Sequence, residues 1–410
     1  MALRYNRSSV TEASRWRVLA VLSLAELLAM SLWFTGTAVL PQLAREWNRG
    51  LEFAGWLTIA VQFGFVAGAL ISATLNLADV LHAPRFFALS SLGAAAANVG
   101  FAMVADRHIL AAILLRFLTG MFLAGVYPTG MKILAGWFRE GRGLALGVMV
   151  GALTVGTALP HGVNAAGVLA QFSWRAVVVA SSGFALLAAA LVPLWVREGP
   201  FAAPQPPFRL AQVGEVFRNR KLALANLGYL GHMWELYAMW AWVAVMLGAS
   251  RGGGPQAGVS LGAFLAIALG AVGCVWAGRA ADRGKAETHS RVALRARVTI
   301  AAMAASGACC LLAALVFEHY ALLLAVMLVW GVAIVADSAQ FSAIVSEVSD
   351  PSYVGTALTT QVALGFLLTT LSIHVAARLG GTLGWRWAAL NMALGPALGI
   401  LAMLPLARRP

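Results

Sequence analysis

The sequence predicts an all-α membrane protein, with twelve transmembrane helices in two six-helix bundles related by a pseudo-twofold axis. Three observations carry that prediction. Sixty per cent of the 410 residues are apolar and 11% are charged, whereas an ordinary soluble domain carries about 25% charged residues; lipid must cover surface that a soluble fold has no way to hide. Twelve apolar runs each have the length needed to cross hydrocarbon as a helix, about 20 residues. Finally, Glu-Leu-x-Ala-Met-x-x-Trp occurs twice, as Glu26 to Trp33 and as Glu235 to Trp242, 209 positions apart in a chain of 410. A carboxylate inside a long apolar run is costly to place, so its recurrence half a chain later points to two related halves.

The elements follow in chain order. A polar start with Arg4, Arg7 and Arg15 precedes a first run at 16–41. No small-residue cleavage pattern clearly follows that run, so it reads as a retained span rather than a removed signal peptide. Runs at 53–78, 85–105, 108–137, 143–170 and 174–196 complete a first bundle spanning residues 1–196. Residues 197–221 contain Pro200, Pro204, Pro206 and Pro207 and end in Arg218-Asn219-Arg220-Lys221. Proline-rich and polar at mid-chain, this stretch reads as the cytoplasmic linker between the halves. The second bundle, 222–410, holds runs at 222–249, 257–279, 297–317, 320–346, 354–377 and 385–407. The fourth, fifth, seventh and tenth runs are long enough to tilt or to extend past the bilayer. Cys274, Cys309 and Cys310 fall inside apolar runs and read as packing residues, since three cysteines make no disulfide framework.

The formal net charge of +13 raises the question of nucleic acid. The positives lie in short loops between apolar runs, where they set orientation instead. With the N-terminus inside, the loops on that side carry twenty Lys and Arg against seven opposite. That asymmetry places both termini in the cytoplasm of a multi-pass protein of the inner membrane.

The halves match at further points. Gly143-Leu144-Ala145-Leu146 opens the fifth run and Gly355-Thr356-Ala357-Leu358 the eleventh, 212 positions on; Asp79 and Asp282 follow the second and eighth runs, 203 positions apart. Parallel repeats about an axis along the membrane normal are an architecture of transporters.

Gly278-Arg279-Ala280-Ala281-Asp282-Arg283-Gly284-Lys285 resembles the cytoplasmic-loop signature of the major facilitator superfamily, the large group of twelve-helix secondary transporters. The matching loop of the first half, Leu75 to Arg85, keeps Asp79 but lacks the glycine and the adjacent arginine. Arg116-Phe117-Leu118-Thr119-Gly120 resembles the Arg-x-x-x-Gly signature of that family's fourth helix. The resemblance covers essentially the whole chain. It implies a usually monomeric transporter that works by alternating access, without a cofactor and without enzymatic activity. It also implies a gate. An aspartate at one helix end caps a neighbouring helix through its orphan amides and macrodipole. Asp79 is expected near the start of the eleventh helix, and Asp282 near the start of the fifth, beside Arg142. With Gly278 and Arg283, these contacts join the halves while the cytoplasmic side is closed, and so favour the outward-open state.

The resemblance further places helices 1, 4, 7 and 10 around a central cavity. The ionisable residues deep in apolar runs are Glu26, Arg116, His232, Glu235 and Asp337, and all five fall on that set. At 1.5 Å rise per residue, Glu26 and Glu235 lie roughly 15 and 20 Å deep, near the midplane. Burial disfavours the charged form of a carboxylate, so such a group can take up a proton near neutral pH, which is the basis of proton coupling. His232 and Glu235 are three residues apart on one helix face and can share a proton. Arg116 reads either as a substrate clamp or as a counter-ion to Glu26. Trp33, Trp242 and Gln340 join the candidates for the substrate and proton site. Gln62, Tyr127, Asn164 and Gln361 are further polar candidates, and the seventh helix adds Tyr229, Trp234, Tyr237 and Trp240 as pocket or interfacial aromatics.

The fifth helix carries Gly147, Gly151, Gly156 and Pro160 but lacks the Gly-Pro pair of the family's antiporter signature. The stretch Trp137 to Gly143 resembles uptake-type members, the anion and organic-acid permeases. Helices 2 and 8, however, lack the arginines of nitrate carriers, and the intramembrane acids outnumber the one arginine. The expected function is secondary transport of a small organic solute, coupled to protons. A proton-driven drug or metabolite efflux pump and a small-anion uptake permease are the alternatives. No His-Glu-x-x-His, phosphate loop or cluster of metal ligands suggests an enzyme.

Overall fold

The computed structural model describes residues 12–48, 50, 55–167, 172–202, 208–252, 256–282, 288–350 and 352–408. Every regular element among them is helical. That is the form in which a segment satisfies its own backbone polar groups away from water.

The first predicted span is broken. α1 (Glu12–Met30) gives way to irregular backbone at 31–34, followed by α2 (Thr35–Ala38) and α3 (Leu40–Glu46). α4 (Trp56–Thr74), the short α5 (Leu77–Val80) and α6 (Ala83–Val104) come next. The fourth span is α7 (Ile109–Leu123) and α8 (Tyr127–Ala135), the latter with proline in its first turn, where the missing N–H is harmless. α9 (Arg142–Ala165) and α10 (Trp174–Trp195) end the first half. Residues 203–207 of the expected linker lie outside the described residues. The rest of it forms a 3₁₀ turn (Leu210–Gln212) and α11 (Val213–Arg218), after which Asn219 caps the next helix through the amides of Lys221 and Leu222.

The second half runs α12 (Arg220–Arg251), α13 (Gln256–Ala268), α14 (Gly270–Asp282), α15 (Thr288–Leu315), α16 (Tyr320–Ile334), α17 (Ser338–Val348), α18 (Val354–Thr382), α19 (Trp385–Met392) and α20 (Leu394–Ala407). Breaks thus divide the eighth, tenth and twelfth predicted spans as well as the first and fourth.

Among the described residues, ten helical stretches are long and apolar enough to cross a membrane. α1 and α12 are not among them, and these are the two helices that carry the repeated motif. α1 contains Glu12, Arg15, Arg17 and Glu26; α12 contains His232, Glu235, two tyrosines and three tryptophans. Polar content concentrated on two central helices is what lowers their apolarity.

Packing joins distant parts of the chain. α4 lies along α7 and also along α18; α9 lies along α1, α13 and α14; α12 lies along α18 and α20. Trp33, Trp240, Trp242, Trp330, Phe34 and Phe65 are fully buried, while Leu110, Leu194, Trp276 and Leu398 point outward as a lipid-contacting surface would.

Close approach between α9 and α14 rests on glycine. A Cβ at Gly143 would fall on the Asp282 carboxylate and on the carbonyl of Gly278, and one at Gly278 on the carbonyl of Gly143. Only paired small residues let two helix backbones come this near.

Candidate functional site

The two copies of the motif end in different environments. Glu26 is fully buried on α1, and neither carboxylate oxygen has a hydrogen-bond partner. Its space exists because residue 130 on α8 is glycine: a Cβ there would reach Met149 and come to 3.1 Å from Glu26 Oε2. Glu235, equally buried on α12, is saturated. Its Oε1 accepts from Trp330 Nε1 at 2.6 Å and from Cys310 Sγ at 3.2 Å, and its Oε2 accepts from Ser306 Oγ at 2.9 Å. The donors come from α15 and α16. Cys310, read from sequence as a packing residue, is a hydrogen-bond donor to this carboxylate.

Arg116 does not meet Glu26. It donates from Nη1 to Leu32 O at 3.0 Å and Asn98 Oδ1 at 2.9 Å, and from Nη2 to Trp33 O at 2.6 Å. These carbonyls lie at the break after α1, where helix ends leave acceptors unsatisfied. Asn98, which the sequence did not single out, donates in turn to Val178 O and Ser182 Oγ. The guanidinium therefore holds the broken first span against α6 and α7. Its Nε alone has no partner and packs beside Gly36.

The expected sharing between His232 and Glu235 is replaced by another pair. His232 Nδ1 lies 2.9 Å from Asp337 Oδ1, at ion-pair distance but without the alignment of a hydrogen bond, and both side chains are almost completely buried. Asp337 occupies the break between α16 and α17, which lets a side chain from the tenth span turn toward α12. The His232 ring also lies against Tyr229 and Phe341.

Gln340 and Trp242 are turned to other tasks. Gln340 Oε1 accepts from Arg295 Nη1 at 2.6 Å, within a group in which Arg295 also bonds Glu347. Trp242 donates to Ile373 O at 3.0 Å and stacks on Trp385. Trp33 instead enters a buried aromatic cluster with Phe65, Tyr237 and Phe366, which Phe34 and Trp240 extend. The cluster draws on the first span and on α4, α12 and α18, so it joins the two halves of the chain.

Tyr127, at the start of α8, lies within electrostatic reach of Glu26, and Tyr229 and Tyr237 lie within reach of Tyr127. Several other buried polar atoms have no partner: both amide atoms of Gln62, Gln361 Nε2, Trp33 Nε1, Trp240 Nε1 and His161 Nε2. Buried polar groups are ordinarily satisfied, so these atoms stand out. Asn164 donates to Ala38 O through Nδ2, and its Oδ1 has no partner. An apolar groove between α15, α19 and α20 is lined by Met303, Leu311, Leu394 and Ile400.

At the end of α14, Asp282 accepts from the backbone amides of Gly143 at 2.9 Å and Leu144 at 2.8 Å. A carboxylate at a helix N-terminus satisfies orphan amides and meets the positive end of the dipole. Arg142 donates to Ala135 O at 3.0 Å, closing the turn after α8. Asp79 pairs with Lys132 of α8. The start of α18 is met by the linker, where Arg209 N donates to Thr356 Oγ1, and Phe208 N donates to Ala73 O at the end of α4. Arg283 lies outside the described residues.

A family model described as Major Facilitator Superfamily matches residues 22–372. No curated protein matches the chain.

Proposed function

Because the chain belongs to the major facilitator superfamily, a family of secondary transporters, we propose that it moves a small polar organic solute across a membrane by alternating access, coupled to protons at Glu26. The single observation that carries the coupling is the contrast within the repeated motif. Glu235 has three hydrogen bonds that fix it to α15 and α16. Glu26 has none, and an uncompensated buried carboxylate is the group most readily stabilised by binding a proton.

Alternating access needs a seal on each side of a central site. The Asp282 cap between α14 and α9 supplies one, on the predicted cytoplasmic face. The cluster of Trp33, Phe34, Phe65, Tyr237, Trp240 and Phe366 supplies the other, toward the opposite face. With both closed, the central site would be occluded. Two six-helix bundles, meeting through α4 with α18 and α9 with α13 and α14, would rock about these contacts.

The test uses proteoliposomes loaded with a pH-sensitive dye and challenged with pools of organic acids, amines, sugars and drugs. A solute-triggered pH change that disappears in Glu26→Gln and persists in Glu235→Gln supports the reading. Robust solute uptake without proton movement in the wild type, unchanged in Glu26→Gln, overturns it.

A further inference from the structure

We propose that the connection between the two halves is a latch, a strap carried by the second half that hooks onto the end of α4 and holds the predicted cytoplasmic face shut. Its consequence for transport rests on the alternating-access reading.

Residues 197–221 have the proline-rich composition of a tether, and a tether need touch nothing along its way. The described parts of this one are docked at both ends. After α10, Glu198 Oε1 accepts from Ala83 N at the start of α6, Arg197 O accepts from Trp137 Nε1, and Phe201 N donates to Gly136 O at 2.9 Å. A Cβ at Gly199 would fall on the Gly136 carbonyl, and the Arg139 guanidinium covers the Phe201 ring at 4.3 Å. These contacts fasten 197–202 to the first half. Before α12, α11 packs against α12 and α18 with Val216 fully buried, and Asn219 caps α12. These contacts fasten 213–219 to the second half.

The strap crosses the seam at two consecutive amides. Phe208 N donates at 3.2 Å to Ala73 O, in the last turn of α4, where carbonyls have no partner within the helix. Arg209 N donates at 3.1 Å to Thr356 Oγ1 near the start of α18. Thr356 is fully buried, and its hydroxyl donates in turn to Gln212 Oε1 at 3.4 Å. Successive residues lie about 3.8 Å apart, so the two acceptors stay side by side while both bonds hold. α4 and α18 belong to different halves and lie along one another. Separating their ends breaks one of the two bonds. Arg209 is backed by Gln212 and by α11 on the second half, so the bond from Phe208 is the one that yields.

Thr356 is also where the halves differ. It stands in Gly355-Thr356-Ala357-Leu358 at the position of Leu144 in Gly143-Leu144-Ala145-Leu146. In the first half the backbone amide of Leu144 is met by the Asp282 carboxylate, and the leucine side chain accepts nothing. In the second half threonine supplies an oxygen, and the strap uses it. A carboxylate clasps one seam and linker backbone clasps the other, so each can be loosened without the other.

The experiment measures amide exchange over 208–212 and the distance between spin labels at Leu75 and Ser352, both exposed, in the full chain. The Arg209 amide should exchange more slowly than amides of exposed loops. Thr356→Val, which keeps the shape and removes the oxygen, should abolish that protection. Thr356→Val and Phe208→Pro, which removes the N–H, should each enlarge the long-distance population roughly two- to tenfold, the worth of one hydrogen bond. Phe208→Ala keeps the N–H and should stay near the wild type. Label pairs across α9 and α14 should not respond. Rapid exchange of Arg209 in the wild type would overturn the latch. So would a distribution unmoved by both Thr356→Val and Phe208→Pro, or an equal response in Phe208→Ala and Phe208→Pro. In each of these cases a wild type that still moved between two distances would leave alternating access standing. A single distance in every variant and with every solute, the amides staying protected, would overturn the latch and alternating access together.

Discussion

The carboxylate of Asp282 receives the backbone amide of Gly143 at 2.9 Å, joining the end of α14 to the start of α9 across 139 residues of chain. The contact is possible because residue 143 has no side chain: a Cβ there would clash with the carboxylate oxygen. It is at once a helix cap and a clasp between two parts of the chain that approach through paired glycines.

Replacing Asp282 by alanine removes an acceptor for two amides. Loss of a side-chain N-cap costs about 0.5–2 kcal/mol, and loss of the charge at the dipole about 0.3–1 kcal/mol more. The closed arrangement of this face should weaken by roughly tenfold relative to the open one, at 1.4 kcal/mol per decade. Distances between spin labels flanking α9 and α14 should lengthen. An unchanged distance distribution would reduce Asp282 to a local cap.

Arg116→Lys should destabilise the protein despite keeping the charge. A lysine cannot reach Leu32 O, Trp33 O and Asn98 Oδ1 from one planar group, and each buried polar group left unsatisfied costs about 1–3 kcal/mol. Thermal unfolding in detergent should shift clearly downward. If stability were preserved and only solute binding lost, Arg116 would belong to the substrate site.

Glu26→Gln and Glu235→Ala should separate in the same unfolding assay. Glu235→Ala orphans Trp330 Nε1, while Ser306 Oγ keeps its bond to Met303 O, so about 1–3 kcal/mol should be lost. Glu26→Gln replaces a group without hydrogen bonds and should leave stability unchanged or raise it. Equal losses in the two variants would contradict the asymmetry on which the proton site rests.

His232 and Asp337 should be energetically coupled. A double-mutant cycle with His232→Asn and Asp337→Asn should give a coupling of about 0.5–3 kcal/mol, because each single substitution leaves its partner buried and unpaired. Additive losses would mean that the 2.9 Å approach contributes nothing.

Much of the architecture was legible in the chain. Apolar runs bounded by arginine-bearing loops marked the helices, since hydrocarbon permits few charges at depth. The same rule singled out Glu26, Arg116, His232, Glu235 and Asp337, all of which are buried. The breaks within spans were not legible. Ser31-Leu32-Trp33-Phe34 reads as ordinary apolar helix, and the interruption there is accompanied by hydroxyl bonds from Thr35 back to Ser31 O and Leu32 O and by a guanidinium from α7. The expected pairing of His232 with Glu235 failed for a related reason: proximity on one helix face does not compete with donors that neighbouring helices bring to shorter range.

The sequence by itself determined which segments are helical and apolar, that the chain contains a duplicated acidic motif, and which polar side chains lie at depth. Those properties follow from local composition and from the cost of placing charge away from water. The tertiary structure decided which of the two equivalent glutamates is satisfied. Ser306, Cys310 and Trp330 stand 71, 75 and 95 residues from Glu235, and only the packing of α12 against α15 and α16 brings their donors to its carboxylate. The Glu26 carboxylate lies beside Gly130, which leaves room for it, and neither of its oxygens receives a hydrogen bond.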